Sequence, residues 1–481
     1  MSGRADVMSE RDVRTRRDTI AAIAVRVREA GGRAMLVGGC VRDGLLGRES
    51  GDIDCEVYGV EPDALRTLAS AFGAVDESGA RYGVYSLRAL GIDLAIPRTE
   101  RRTGPLHGDF DVTPNPWLTP EQAGMRRDFT VNAILRDALT GEYVDPFGGR
   151  EDLARGVLRA MPGGQFEEDP LRVLRGAQFA ARFGLEIDGV TLASMMSMPL
   201  GGLSPARVTA EMKKALLESD RPDVFFRVLA QVKGLTPWFS EIAALCGVMQ
   251  NPRYHPEGDA FEHTMLVLAE AAAMRGQAVK PLPFMLAALT HDLGKAVSTA
   301  KNGQGEWQSV GHENTGVPLV QAMLVRLCVP QSAIRYAQDM CRLHMRVHGC
   351  YYTQARLSRT QLLFDASICP RDLALLAVCD ARGTGKPRGQ AQEEERFIKS
   401  RLTAYECAAE GQMPTGNMLM AAGVRPGADL GEALRQARRQ VLCGVPLERA
   451  VMQSACALRE RDAERNIGKK STEAGGEMME K

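Results

Sequence analysis

The residues from Leu36 to Asp54, LVGGCVRDGLLGRESGDID, concentrate groups that can do chemistry. Asp52 and Asp54 flank Ile53; on a strand, the period of two puts both carboxylates on one face and Ile53 on the other. Paired carboxylates repel and, away from water, lose hydration. A divalent cation removes both penalties, and Mg²⁺ in particular is shared between one or two carboxylates and substrate phosphates. Ahead of the pair, Gly38-Gly39 lets the backbone approach a phosphate, and Arg42 can pair with it. The stretch reads as a nucleotide and metal site for phosphoryl or nucleotidyl transfer, although a lone DxD is more often a turn or a solvated edge.

Two further strings bear on that reading. Arg126-Arg127-Asp128-Phe129-Thr130-Val131-Asn132 puts adjacent guanidiniums where they can grip a triphosphate, since guanidinium is a planar bidentate phosphate donor. Its plainer alternative is a helix start capped by Asp128 or Thr130 with solvated arginines. In Glu168-Asp169-Pro170-Leu171-Arg172-Val173-Leu174-Arg175, residues Asp169, Arg172 and Arg175 are spaced by three and share a helical face. One acceptor and two donors on a common face can imitate the pairing edge of a base; the alternative is a solvated salt bridge.

Taken as a set, GGxVRD, DxD, RRDFTxNA and EDPLRVLR resemble the signature of the DNA polymerase β-like nucleotidyltransferases, in particular the bacterial tRNA nucleotidyltransferases (CCA-adding enzymes) and their poly(A) polymerase relatives. The resemblance implies template-independent addition or repair of the tRNA 3′ CCA from CTP and ATP, with Mg²⁺ on Asp52 and Asp54. It implies Asp93, in Gly91-Ile92-Asp93-Leu94, as a third catalytic carboxylate. Gly39, Arg42 and Arg127 are expected to hold the triphosphate, and Asp169, Arg172 and Arg175 to choose the base. The family commonly has another arginine where this chain has Gln178, so a phosphate contact there is expected to be weakened or replaced. Ser204-Pro205-Ala206-Arg207 resembles a motif closing the neck, with Ser204 as cap, Pro205 at N1 and Arg207 paired to Glu211. A poly(A) polymerase, a CC-adding or an A-adding enzyme remain alternatives, as does an RNA-binding module with an inactive head.

Six of the seven histidines lie between positions 255 and 348. His263, then His291-Asp292 in LTHDLGK, then Asp380 follow the order of the HD phosphohydrolase superfamily, an all-helical fold. Imidazole nitrogen with carboxylate oxygen suits a divalent transition metal, and His312 and His344 can add ligands. A CCA-adding head followed by this module resembles the multifunctional bacterial CCA-adding group. That implies 2′,3′-cyclic phosphodiesterase, 2′-nucleotidase and phosphatase activity with Ni²⁺ or Mg²⁺ on His263, His291, Asp292 and Asp380. Cys341, His344, His348 and Cys350 have a spacing that can hold zinc, but a helix end with incidental cysteines is the expectation.

The elements that must position these residues follow from pattern. The fold class expected is an α+β nucleotidyltransferase head, an all-α neck and an all-α HD domain. The boundaries are a polar arm over 1–18, the head over 19–160, the neck over 161–245, the HD domain over 246–385, a helical region over 386–463 and a disordered tail over 464–481. Residues 99–125, rich in Arg, Gly, Pro and Asp, read as one long loop, 383–395 reads as a surface loop, and strand signals vanish after about 160. The 481 residues include 60 Lys+Arg and 60 Asp+Glu, so net charge does not point to nucleic acid, and a basic face for tRNA would have to be local. Eleven cysteines without a CxxC pair, no signal peptide and no apolar run of membrane length point to a reducing cytoplasmic setting without membrane attachment, as monomer or homodimer.

Overall fold

The structure, a computed structural model, describes residues 10–49, 51–102, 110–385 and 388–476. The chain forms two compact units, Met1–Phe239 and Ser240–Lys481.

In the first unit, α1 (Glu10–Glu29) leads to β1 (Arg33–Val37), α2 (Gly39–Leu45), β2 (Ile53–Tyr58), α3 (Pro62–Ser70), β3 (Val84–Leu87) and β4 (Ile92–Ala95). There follow β5 (Arg98–Arg102), β6 (Phe110–Pro114), α4 (Pro120–Gly124), β7 (Leu135–Asp137), β8 (Tyr143–Val144), α5 (Gly149–Ala154) and β9 (Val157–Leu158). The unit closes with α6 (Leu171–Phe183), β10 (Glu186–Ile187), α7 (Gly189–Ser197), α8 (Pro205–Glu218) and α9 (Pro222–Gln231). Six strands form one mixed sheet in the order β3-β4-β2-β1-β7-β8, with β2 and β4 parallel and the other neighbours antiparallel.

Strand alternation sorts the two faces of this sheet. Cys55 and Val57 of β2 with Ile92 and Leu94 of β4 bury against Ile20, Ile23 and Val27 of α1 and Leu65 of α3, and Ile53 packs on the same side. Asp54, Glu56, Tyr58 and Asp93 therefore fall on the opposite face, as the period of two requires. Behind the sheet, α6 buries Val173, Leu174 and Ala177 and packs on α8 and α9. Phe129 stands edge-on to Phe166 and Phe179, with ring centroids 5.5 and 5.6 Å apart, and joins the RRDFT segment to α6.

The second unit is helical apart from one hairpin: α10 (Ser240–Ala243), α11 (Ala260–Met274), α12 (Pro281–Thr290), α13 (Lys295–Ser298), β11 (Thr299–Lys301), β12 (Trp307–Ser309), α14 (His312–Arg326) and α15 (Gln331–Tyr352). It continues with α16 (Leu357–Asp365), α17 (Pro370–Gly383), α18 (Arg388–Glu410), α19 (Gly416–Ala421), α20 (Ala428–Leu442) and α21 (Leu447–Gly476). Among the described residues, no helix is long and apolar enough to cross a membrane.

Several expectations are corrected. The polar arm is helical from Glu10, because α1 extends into charged helix formers once Ile20, Ile23 and Val27 anchor its apolar face; residues 1–9 lie outside the described part. Residues 99–125 are not one loop: β5 and β6 pair as a hairpin, and α4 opens with a capping box in which Thr119 and Gln122 satisfy each other's backbone N–H. The stretch 103–109 lies outside the described residues. Head and neck form one unit rather than two, since the sheet face and α6 share buried side chains. Strands recur after residue 160 as β10, β11 and β12, each two or three residues long and dependent on a partner that no local pattern announces. The expected loop over 383–395 shrinks because α17 runs through Gly383 and α18 starts at Arg388, with 386–387 outside the described part. The expected tail is helical through Gly476 as part of α21, where helix formers suffice without an apolar stripe; 477–481 lie outside.

Phe129 is fully buried, and truncating such a ring costs about 3–5 kcal/mol. Phe129→Ala is expected to lower the first unit's chemical denaturation midpoint by a matching amount while the second unit's transition stays put.

Candidate active site

The head site starts from a turn. Strand β1 stops at Val37, and Gly38 takes φ +68° before α2 begins at Gly39. A Cβ at Gly38 would meet Arg127 Nη1 at 3.4 Å and Asp54 Oδ2 at 3.6 Å, in a backbone conformation that side chains rarely adopt. The turn is thus pressed against an arginine and an acid, and Gly38, rather than Gly39, is the position where only glycine serves. The Cys40 thiol donates back to the Val37 carbonyl at 3.1 Å.

Asp54 and Asp93 sit directly opposite each other on the parallel strands β2 and β4. Withdrawal from water and the neighbouring charges of Asp93 and Asp52 raise the Asp54 carboxyl above its ordinary range, and Arg127 pulls it part of the way back. A carboxylate pressed by two others fits the hard oxygen set that Mg²⁺ takes. Among the described residues, however, the groups of three ligand atoms within 4.8 Å of one another all lie in the second unit.

Glu56 is a site residue that the sequence reading missed. It is buried at 2% exposure, and its Oε1 accepts from Arg126 Nη2 at 2.6 Å and Arg127 Nη2 at 2.8 Å, while Tyr58 O–H donates to Oε2 at 2.9 Å. Burial pushes its carboxyl up, but Arg127 and Arg126 outweigh that and hold it below the ordinary range. The signal was available: Asp52, Asp54 and Glu56 continue one alternation. The plainer reading of Arg126-Arg127 as solvated helix-start residues is not what the structure has; a short 3₁₀ turn over Thr130–Asn132 follows them instead.

Arg42 is 5% exposed, and its guanidinium is filled by Asp43 Oδ1 at 2.6 Å and Asn132 Oδ1 at 2.6 Å, with its centre 4.2 Å from the Phe183 ring centroid. The expected contact of Arg42 with phosphate is therefore corrected: the group ties α2 to α6. Asn132 Nδ2 donates to Asp128 Oδ1 at 2.8 Å, and Arg175 Nε donates to Asp128 Oδ2 at 2.7 Å. Arg175, expected to read the base, is spent on this network.

Asp169 and Arg172 line a cleft of about 500 Å³ together with Arg126, Arg98 and Tyr82. Arg172 donates to the carbonyls of Gln165 at 2.6 Å and Arg126 at 2.7 Å, so backbone oxygens aim its fork. Arg207 donates to Asp169 Oδ2 at 2.8 Å, not to Glu211, whose partner is Lys214 at 3.0 Å. Ser204 holds the N-cap position of α8 without a side-chain capping bond. Gln178 is 1% exposed and points into the packing, away from any phosphate.

A second centre lies wholly in the helical unit. His263 comes from α11, His291-Asp292 from the end of α12, His312 from the start of α14, His344 and His348 from α15, and Asp380 from α17. Asp292 Oδ2 is 3.4 Å from His263 Nε2 and 3.3 Å from His291 Nε2, and Asp380 Oδ1 is 3.1 Å from His263 Nε2. Lys295 Nζ donates to Asp292 Oδ2 at 2.6 Å and to Gln250 Oε1 at 2.7 Å. Lys295 and His291 hold Asp292 well below the ordinary carboxylate range despite its burial, and His348 and His263 do the same for Asp380. His263 Nε2 and His291 Nε2 are buried without a hydrogen-bond partner, as donor atoms of a metal site are before the ion arrives. Gly294 makes the packing possible, because a Cβ there would meet the His312 carbonyl oxygen at 2.0 Å.

Residues that the sequence reading passed over complete this centre. His348 Nε2 lies 2.9 Å from Asp380 Oδ2, and its Nδ1 lies 2.6 Å from Glu394 Oε1. Glu257 Oε1 holds His255 Nδ1 at 2.8 Å and His263 Nδ1 at 2.9 Å. The zinc alternative at Cys341, His344, His348 and Cys350 is not what the structure has: the two histidines turn into the centre, while Cys341 Sγ faces the Glu313 carbonyl.

Comparison with known proteins follows this geometry. Residues 34–159 match the family described as poly A polymerase head domain. The chain is 36% identical over 425 residues to the multifunctional CCA protein of Alkalilimnicola ehrlichii, covering 86% of this chain and 97% of that one. It is 38% identical over 422 residues to the multifunctional CCA protein of Xanthomonas oryzae pv. oryzae, covering 84% and 96%. Among solved structures, the fold is similar to the Thermotoga maritima CCA-adding enzyme complexed with tRNA, with TM-score 0.60, 19% identity and coverage of 94% of this chain and 97% of that one. It is also similar to the Bacillus stearothermophilus CCA-adding enzyme in complex with CTP, with TM-score 0.59, 21% identity and coverage of 95% and 100%. With more than a third of its residues identical across nearly the whole length of such relatives, this chain belongs to the multifunctional CCA protein family.

Proposed function

We propose that the head adds or repairs the 3′-terminal CCA of tRNA, taking CTP and ATP and releasing pyrophosphate. The observation that carries this reading is the placement of Asp54 opposite Asp93, against the Gly38 turn and Arg127, in a chain of this family. A divalent cation, Mg²⁺, on Asp52 and Asp54 with Asp93 would supply positive charge to the reacting phosphate. The chain's own residues do the rest. Gly38 and Gly39 let the triphosphate approach the backbone, and Arg126 and Arg127, aimed by Glu56, meet its oxygens. Arg42 acts as a positioning residue through Asn132, and Arg175 through Asp128. Asp169 and Arg172 present an acceptor and a donor fork to the base, with Arg207 steadying Asp169.

The same family places a second activity in the helical unit. The reading here is a phosphohydrolase acting as 2′,3′-cyclic phosphodiesterase, 2′-nucleotidase and phosphatase. A divalent cation, Ni²⁺ or Mg²⁺, on His263, His291, Asp292 and Asp380 would polarise a phosphoester. Asp292, His312, His348, Asp380 and Lys295 face a cleft of about 720 Å³, which gives a phosphoester access. Lys295 adds fixed positive charge beside Asp292, and Glu257 orients His263 through its Nδ1–H.

Three outcomes test these readings. Asp52→Ala with Asp54→Ala is expected to abolish nucleotide incorporation into tRNA ending before CCA, with circular dichroism unchanged; normal transfer would reject the head assignment. Supplying CTP alone, ATP alone or both separates full CCA addition from CC-addition, A-addition and poly(A) synthesis. Asp169→Ala is expected to lower discrimination for CTP and ATP over GTP and UTP by about ten- to hundredfold, because loss of one well-placed hydrogen bond to the base is worth about 1–3 kcal/mol. In the second unit, His291→Ala is expected to lose hydrolysis of a 2′,3′-cyclic nucleotide while CCA addition persists. Hydrolysis at the parent rate would remove that assignment.

A further inference from the structure

Holding one ion on His263, His291, Asp292 and Asp380 uses only one oxygen of Asp292. The other, Oδ1, faces a different pair of imidazoles: His312 Nε2 at 3.0 Å and His344 Nε2 at 3.4 Å, with those two nitrogens 3.3 Å apart. Ligand atoms about 2.1 Å from a cation, at tetrahedral or right angles, stand about 3.0–3.4 Å apart. All three edges of this triangle fall in that range.

Tautomers sharpen the point. His312 Nδ1 is 2.7 Å from the Ser309 carbonyl, and His344 Nδ1 is 2.7 Å from the Cys341 carbonyl. A carbonyl only accepts, so each neutral ring carries its proton on Nδ1 and turns an Nε2 lone pair inward. Two lone pairs then face a carboxylate oxygen in a buried space, an arrangement that repels unless a cation lies between them. Asp292 Oδ1 itself, in a side chain 1% exposed, has no hydrogen-bond partner of good geometry. The hairpin β11–β12 supplies the Ser309 carbonyl, which gives that short ribbon a role: it sets the ring of His312.

We propose that the helical unit holds two divalent cations bridged by Asp292, the second on Asp292 Oδ1, His312 and His344. This rests on the hydrolase reading of the centre and extends it. Two imidazoles and one carboxylate oxygen favour a transition ion such as Ni²⁺, Co²⁺ or Mn²⁺ over Mg²⁺. A pair of ions sharing one carboxylate suits clamping of a phosphoester on both sides of the breaking bond.

The test counts metal rather than turnover. The full-length Asp52→Ala, Asp54→Ala chain, which removes the head acids from the count, is stripped with chelator, reloaded with Co²⁺, desalted and analysed by elemental mass spectrometry. Two cobalt ions per chain are expected, falling to one in His344→Ala and in His312→Gln, each checked for helix content by circular dichroism. Loaded with Mn²⁺, the parent is expected to show a spin-coupled electron paramagnetic resonance signal that both variants lose. One cobalt per chain in the parent, retained in His344→Ala and lost in His291→Ala, would overturn the second ion and leave the one-ion hydrolase reading standing. No bound cobalt in the parent would overturn both.

Discussion

A carboxylate withdrawn from water has to find a cation, and in the head that demand is met by Glu56 with Arg126 and Arg127. Breaking such a buried pair by removing one partner costs about 3–5 kcal/mol, because the remaining charge has no solvent to fall back on. The pair therefore pins the segment before Phe129 to the face of β2 that carries Asp54. It also explains why the two arginines stand beside the Gly38 turn with no phosphate present: Glu56 occupies them and keeps them aimed. From there the constraint spreads outward. Arg126 offers its carbonyl to Arg172, Asp128 takes Arg175 and Asn132, and Asn132 takes Arg42. The sheet and α6 are thus joined by a continuous set of charged hydrogen bonds laid over the Phe129, Phe166 and Phe179 core.

The helical unit obeys the same electrostatic rule with the signs redistributed. Asp292 and Asp380 are buried among imidazoles rather than guanidiniums, and Lys295 is the fixed cation beside Asp292. Imidazole is a weaker answer to a buried carboxylate than guanidinium is, because it can be neutral. His291, His312 and His344 each give their Nδ1 to a backbone carbonyl. That choice fixes ring orientation and directs every Nε2 toward the carboxylates, which is how ligands are held ready for an ion rather than for a proton.

Legibility differed between the two units for a physical reason. In the head, Asp54 and Asp93 were readable because strand alternation translates spacing into a shared face, and the register of β2 on β4 then sets them opposite each other. Glu56 lay on the same alternation but was overlooked, since its burial depends on arginines about seventy residues away in sequence. The same distance defeated the reading of Arg42, Arg175 and Arg207. Each stands in a motif whose types suit phosphate or base recognition, and each is claimed by a partner that only the packing of α2, α6 and α8 brings near. In the helical unit the histidine-aspartate order was visible, yet His348, Glu257 and Glu394 were not, because no local period links residues on four different helices.

By itself, then, the sequence determined the chemistry on offer: acids in alternation after a glycine turn, paired arginines, an Asp-Arg helix face and a run of histidines followed by aspartate. It also determined the mixed head and the helical remainder, since hydrophobic period is a local property. Tertiary structure decided which charges remain available. A guanidinium or carboxylate has more possible partners than it can take, and the choice among them is made by desolvation and proximity across the fold, neither of which exists until the chain is packed.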